Sequence, residues 1–169
     1  WRKATYDWDI YAQSISAAGA SQWTANGVPI YNGAGEQWYP AIVADGSGGA
    51  IIAWIDGDSG PVAVYAQRVN SAGALQWGPS GKMVFGSANL EHDIELVSDG
   101  SSGAIILWVD WCLELECYSG TVYAQRLNDH SSKVSFSGIV YAIRFDGGLA
   151  YITVHSGGGF RKFVKIDLM

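Results

Sequence analysis

Fifty-four residues separate Tyr11-Ala12-Gln13 from Tyr65-Ala66-Gln67, and the same 54 separate Gln22-Trp23 from Gln76-Trp77. The stretch Asp45-Gly46-Ser47-Gly48-Gly49-Ala50-Ile51-Ile52 recurs at that offset as Asp99-Gly100-Ser101-Ser102-Gly103-Ala104-Ile105-Ile106. Three unrelated words sharing one period mark a tandem repeat. A repeat constrains the fold, because each unit is one supersecondary piece that buries its apolar flanks only against its neighbours. A third Tyr123-Ala124-Gln125 follows Tyr65 by 58 residues, and the four extra residues fall in the segment that carries Cys112 and Cys117. A decayed copy runs Ile143-Arg144-Phe145-Asp146-Gly147-Gly148-Leu149-Ala150-Tyr151-Ile152, with Asp146 only 47 residues after Asp99. Phe163-Val164-Lys165-Ile166-Asp167 then stands roughly where the Tyr-Ala-Gln word and its two followers stood.

Within a unit the residues read as strands and turns. In the clearest copy the first strand runs from Tyr39 to Ala44 and the second from Gly49 to Asp56. Between them Asp45 to Gly48 form a turn in which Asp caps its own backbone and Gly takes positive φ. The second strand carries Ile51, Ile52 and Trp54 and is apolar on both faces, as a strand buried between layers is. Gly57-Asp58-Ser59-Gly60-Pro61 is a hairpin loop, and Val62 to Asn70 is the third strand. Alternation puts Val64, Ala66 and Arg68 on one face of that strand and Tyr65, Gln67 and Val69 on the other. Ser71-Ala72-Gly73 turns the chain, a short edge strand follows at Ala74 to Trp77, and Gly78-Pro79-Ser80-Gly81 leads out to Lys82-Met83-Val84.

No segment shows a 3.6-residue apolar period, so the expected fold class is all-β. Four antiparallel strands in about 54 residues is the size of one β-propeller blade; a two-sheet sandwich is the alternative. The whole chain, 1–169, reads as one propeller-like segment. Its parts are a partial blade at 1–32, a blade at 33–86, a blade with the cysteine insertion at 87–135 and a degenerate partial blade at 136–169. A closed ring has typically 4–8 blades. The expectation is therefore a segment of a larger propeller, or a ring completed by other copies. The chain opens on Trp1 rather than Met, as a processed product or a piece of a longer protein does.

Composition excludes several classes. Apolar residues make up 49% and charged residues 15%, the opposite of a disordered chain. A net charge of −6 with ten scattered basic residues argues against nucleic-acid binding. No apolar run is long enough for a membrane span. Twenty-two glycines and eight tryptophans suit short strands, tight turns and sheet-to-sheet packing. Low Lys content, acidity and abundant Gly and Trp lean towards a secreted protein.

The words Asp-Gly-Ser-Gly-Gly-Ala-Ile-Ile-Ala-Trp, Val-Tyr-Ala-Gln-Arg-Val and Leu-Gln-Trp-Gly resemble repeats of large bacterial secreted and cell-surface proteins, which look like tandem β-propeller blades. The resemblance is specific over Tyr39 to Val84, good over Asp9 to Ile30 and Asp93 to Asn128, and poor after Asp129. It implies an extracellular or cell-surface location and carries over no catalytic residue. The cysteine insertion, and the lack of a Gln-Trp edge in the last unit, depart from the pattern.

Candidate chemistry is sparse. The repeated Asp45, Asp99 and Asp146 offer oxygens to calcium, against the plainer reading of self-capping turns. Asp56, Asp58 and Asp110 read as a solvated acidic loop. The Ser/Thr-Asp-Gly-aromatic spacing of an Asp-box is not met, and nothing supplies the asymmetric carboxylate pair of a glycoside hydrolase. His92, His130 and His155 share no motif with Ser or Cys, so a triad has no support. Cys112 and Cys117 either bridge across a hairpin as a local disulfide or stay as two buried thiols. Repeated Trp23, Trp54, Trp77 and Trp108 read as packing residues. Trp8, Trp38 and Trp111 lie outside the repeated positions and are the surface-aromatic binding candidates. Arg68 and Arg126, each after Tyr-Ala-Gln, read as a repeated structural hydrogen bond between blades or at the surface. The expected function is a non-enzymatic structural, adhesive or protein-interaction module without a cofactor. Its expected partners are other copies, the rest of a longer chain, a surface protein or a glycan. A carbohydrate-binding propeller is the alternative, and a hydrolase fragment ranks last.

Overall fold

Turn glycines alternating with β-branched and aromatic runs resolve the chain into thirteen strands among the described residues. The computed structural model describes residues 8–57, 62–86, 90–111, 120–128, 133–137, 139–146, 149–156 and 160–167, with side chains over 8–57, 62–86, 94–108 and 123–128. Two units divide the chain, Trp1–Ala88 and Asn89–Met169. In the first, β1 (Ile10–Ala12) and β2 (Val28–Tyr31) form a two-stranded ribbon, and β3 (Gln37–Ala44), β4 (Ala50–Asp56), β5 (Ala63–Val69) and β6 (Lys82–Gly86) form a four-stranded sheet in chain order. In the second, β7 (Leu90–Ser98), β8 (Ala104–Trp111), β9 (Gly120–Leu127) and β10 (Lys133–Ser137) make another four-stranded sheet. There β11 (Ile139–Asp146), β12 (Leu149–Ser156) and β13 (Phe160–Asp167) make a three-stranded one. Every strand pairing is antiparallel. The fold is all-β, and among the described residues no helix is long and apolar enough to cross a membrane.

All seven residues of β4 are buried, as its unbroken apolar run requires. The first unit's core joins the ribbon to the sheet: Ile10 and Ile30 pack with Ala50, Ile52, Trp54 and Val69, and Tyr31 and Tyr65 close around them. Trp54 is fully buried and stacks on Tyr31 and Tyr65, with ring centroids 5.6 and 6.0 Å away. Such ring pairs contribute about 0.5–1.5 kcal/mol each beyond their burial. In the second unit Trp108 stacks on Tyr123 at 5.4 Å. Trp108 lies opposite Tyr123 in the ladder as Trp54 lies opposite Tyr65.

The register of β1–β2 matches that of β5–β6 residue for residue. Ile10, Tyr11 and Ala12 face Tyr31, Pro29 and Val28, while Val64, Tyr65 and Ala66 face Phe85, Met83 and Lys82, and both pairings are bulged at the same step. All these correspondences lie at the 54-residue offset.

The fourth strand of the clearest unit is β6, not Ala74 to Trp77 as the sequence suggested. That stretch holds a single bridge, Val69 to Leu75. Beyond that bridge a side chain takes the place of a ladder. Gln67, itself fully buried, accepts from the Trp77 backbone N–H at 2.9 Å and donates to the Gly78 carbonyl. Gln13 does the same for Trp23 and Thr24, at 3.0 and 2.6 Å. These two amides fix a looped excursion, after which the chain returns to pair beside Tyr-Ala. The return is close: a Cβ on Gly81 would lie 2.5 Å from the Ala66 carbonyl oxygen, and one on Gly27 would lie 2.6 Å from that of Ala12. Between β9 and β10 only five residues intervene, so this excursion is missing there.

Candidate functional site

The Asp-Gly-Ser turns are built around their carboxylates. Asp45 is buried, and its Oδ1 accepts from the Ser47 and Gly49 N–H groups at 2.8 and 2.9 Å. Its Oδ2 accepts a two-pronged bond from Arg68, Nε at 3.0 Å and Nη2 at 2.8 Å. Asp99 repeats the set, with Ser101 and Gly103 at 2.7 and 2.8 Å and Arg126 Nε at 2.7 Å. Burial alone raises each carboxyl's pKa. The two backbone N–H bonds, the Arg hydrogen bond and the Arg charge outweigh it and hold both below the usual 3.8. Both oxygens of each carboxylate are thus occupied by donors and faced by a cation, an arrangement of self-capping turns rather than of a calcium cage. These bonds tie each arginine to the first turn of its own sheet, where the sequence suggested a repeated bond between blades or at the surface. The side chain of Asp146 lies outside the described residues.

The tryptophans at repeated positions are packing residues. Trp54 and Trp108 are buried, and Trp23 and Trp77 are half-buried. Trp23 donates its indole N–H to the Ser71 carbonyl at 3.0 Å, and Lys82 Nζ lies 4.9 Å from the centre of the Trp77 ring.

The candidate binding features gather at one end of the first unit, where the lead into β1 meets the start of β3 and the end of β4. Trp8 forms a parallel bridge with Glu36, and its carbonyl accepts from the Gln37 N–H at 3.0 Å. Trp8 is 59% exposed. Trp38 is half-buried; its ring covers Gly57, where no Cβ would fit, and its N–H donates to Glu36 Oε2 at 3.1 Å. Between Trp38 and Ala41 the β3–β4 ladder is bulged. The bulge throws out Tyr39, 47% exposed, with φ of 52°. A bulky residue with positive φ is a true outlier, and such strain clusters at binding sites.

Two of the three surface-aromatic candidates, Trp8 and Trp38, are therefore brought to one end through Glu36. The Trp111 side chain lies outside the described residues, as do Cys112, Cys117, Asp58, His130 and the side chains of Asp110, His92 and His155. Asp56 is buried, 8% exposed, which corrects its reading as part of a solvated loop. Its place at the end of β4, opposite the buried Gln37, takes it out of water. Sequence reasoning passed over Tyr39 because its signal is backbone conformation. It passed over Gln37 and Asp9 because neither recurs at the 54-residue offset. Among the described residues no group of three His, Cys, Asp or Glu side chains is placed to hold a metal ion. No protein-family model, curated protein or solved structure matches the chain.

Proposed function

We propose that this chain is a non-enzymatic interaction module of β-propeller blades, acting at the cell surface or outside the cell, and that it meets its partner through the end that carries Trp8, Trp38 and Tyr39. The blade reading is supported by the 54-residue unit: β1–β2 and β5–β6 share one register and one bulge, and Asp45 and Asp99 make the same turn bonds. The observation that carries the function is the strained, exposed Tyr39 at the same end as the exposed Trp8, which is bridged to Glu36, three residues before Tyr39 in the chain. Large rigid aromatics exposed together cost hydration and supply binding energy at little entropic cost. The extracellular setting rests on composition and on the resemblance to bacterial surface repeats.

Self-association through apolar edges belongs to the same reading. Ile42 and Met83, 62% and 64% exposed, flank the sheet face whose centre the ribbon covers. Light scattering of the purified chain at micromolar concentration tests it. Assembly that Ile42→Lys or Met83→Lys reduces supports it; an unchanging monomer across the range counts against it. A second reading, a glycan-binding propeller, is favoured by the two exposed rings, since sugar rings stack their C–H faces on such surfaces. A glycan array run with the wild type and with Trp8→Ala and Tyr39→Ala separates the two. Glycan signal that both variants lose selects the second reading, and its absence from the wild type removes it.

A further inference from the structure

At the aromatic end three oxygen-bearing side chains stand in a row on three adjacent chain segments. The parallel bridge sets Trp8 beside Glu36, so the next residues, Asp9 and Gln37, fall beside one another on the opposite side of the backbone. Gln37 in turn faces Asp56 across the β3–β4 ladder. The Gly57 N–H donates to the Glu36 carbonyl at 2.9 Å, an outer bond that makes Gln37 and Asp56 a non-hydrogen-bonded pair. In such pairs the facing side chains come closest.

Two of the three side chains, Gln37 and Asp9, carry an oxygen that is not satisfied. Gln37 is 2% exposed, yet its Oε1 has no hydrogen-bond partner, and its Nε2 makes only a 3.4 Å bond to the Ala34 carbonyl. Oδ1 of Asp9 is also buried without a partner. Both orphans are acceptors, so no bond between them satisfies either one. A buried carboxylate oxygen without a donor costs several kcal/mol unless a positive charge meets it. Asp45 and Asp99 meet that requirement with Arg68 and Arg126; Asp9 has no ion pair among the described residues.

We propose that Asp9, Gln37 and Asp56 bind a hard divalent cation of the calcium class. Carboxylate and amide oxygens are the ligands such ions select, and calcium accepts irregular oxygen cages. The ion would sit beneath Trp8 and Trp38 and tie the lead of β1 to the starts and ends of β3 and β4. It would thereby brace the strained Tyr39 bulge. Few protein ligands place the affinity in the weak extracellular range, with Kd on the order of 10⁻⁴–10⁻³ M.

The test uses the full chain stripped with EDTA. Terbium, a luminescent stand-in for calcium, is added under tryptophan excitation and then competed with calcium and with magnesium; thermal unfolding is followed in parallel. The expected result is saturable terbium emission that calcium displaces, and a higher Tm in 10 mM calcium than in EDTA. Asp9→Asn should weaken both responses at least tenfold. Gln37→Glu, which adds a charge to the cage, should tighten calcium binding. Asp45→Asn, whose carboxylate serves its own turn and Arg68, should leave the calcium response unchanged. Absence of terbium emission together with equal Tm in calcium and EDTA overturns the proposal and leaves the row to a buried water. A calcium response lost in Asp45→Asn but kept in Asp9→Asn and Gln37→Glu overturns it as well, by moving the ion to the turn.

Discussion

Replacing Asp45 with Ala removes a carboxylate that ties the first Asp-Gly-Ser turn to the strand two away from it. Four bonds end on its carboxylate, two from the Ser47 and Gly49 backbone and two from Arg68. Hydrogen bonds to a charged group contribute about 1.5–3 kcal/mol each, and breaking a buried pair costs about 3–5 kcal/mol. Partial rehydration lowers this, because the Arg68 side chain is 29% exposed and Ser47 lies at the surface. The expected loss is therefore about 3 kcal/mol for Asp45→Ala. Asp45→Asn keeps an oxygen for the backbone donors but turns an N–H₂ towards the guanidinium, for an expected loss of about 2 kcal/mol. The fold lowers the Asp45 pKa below its usual 3.8. Its contribution is thus complete above the unfolded value and fades as the pH falls through the folded one. Urea unfolding followed by tryptophan fluorescence at pH 7 and across the acid range measures both effects. The wild type should lose stability more steeply on acidification than Asp45→Asn. A loss below about 1 kcal/mol for Asp45→Ala, or parallel acid profiles, would refute the reasoning.

Four further substitutions, one of them a control, probe the same devices. Gly49→Ala places a Cβ against the Val69 carbonyl and within 2.9 Å of Asn70 Cα, both backbone; a loss of about 2 kcal/mol or more is expected by urea unfolding, comparable to overpacking a core. Ser102→Gly should stabilise by about 0.5 kcal/mol, because Ser102 adopts φ of 64° where its counterpart is Gly48 at 84°; left-handed backbone costs a non-Gly residue about 1–2 kcal/mol, which exceeds the added chain entropy of Gly. The same scan should show that this gain is absent in Ser101→Gly, since Ser101 has no positive φ among the described backbone angles. Gln67→Leu should leave the Trp77 N–H and Gly78 carbonyl without their partner. A cost of about 2 kcal/mol and faster exchange of the Trp77 amide are expected, read by urea unfolding and hydrogen exchange.

The turn at Asp45, the both-faces burial of β4 and the face assignment of β5 were legible because each is local. Asp and Gly declare the turn, and apolar spacing declares the strand. The fourth strand was misplaced because Leu75 and Trp77 alternate like a strand, while only Leu75 holds a backbone bridge and the Trp77 N–H is taken by the side chain of Gln67. A signal did exist: Gln13 and Gln67 recur in step with Trp23 and Trp77, so one partner of each bond repeats with the other. The Asp45–Arg68 and Asp99–Arg126 pairs could have been found the same way, from a turn carboxylate and a strand arginine that recur together in both units. Tyr39, Gln37 and Asp9 do not recur at the 54-residue offset, and their places follow from a bulge and a parallel bridge that residue patterns do not encode.

The account rests on the 54-residue sequence unit being one structural unit, in which the residues of β4–β5 and of β5–β6 keep their cross-strand neighbours in β8–β9 and in β1–β2. Cross-strand nuclear Overhauser contacts in the isotope-labelled chain measure this directly. The predicted pattern pairs Trp54 with Tyr65 and Trp108 with Tyr123, and Ala12 with Val28 as Ala66 pairs with Lys82. A one-residue slip in either sheet, or a ribbon in which Tyr11 faces a residue other than Pro29, would contradict it.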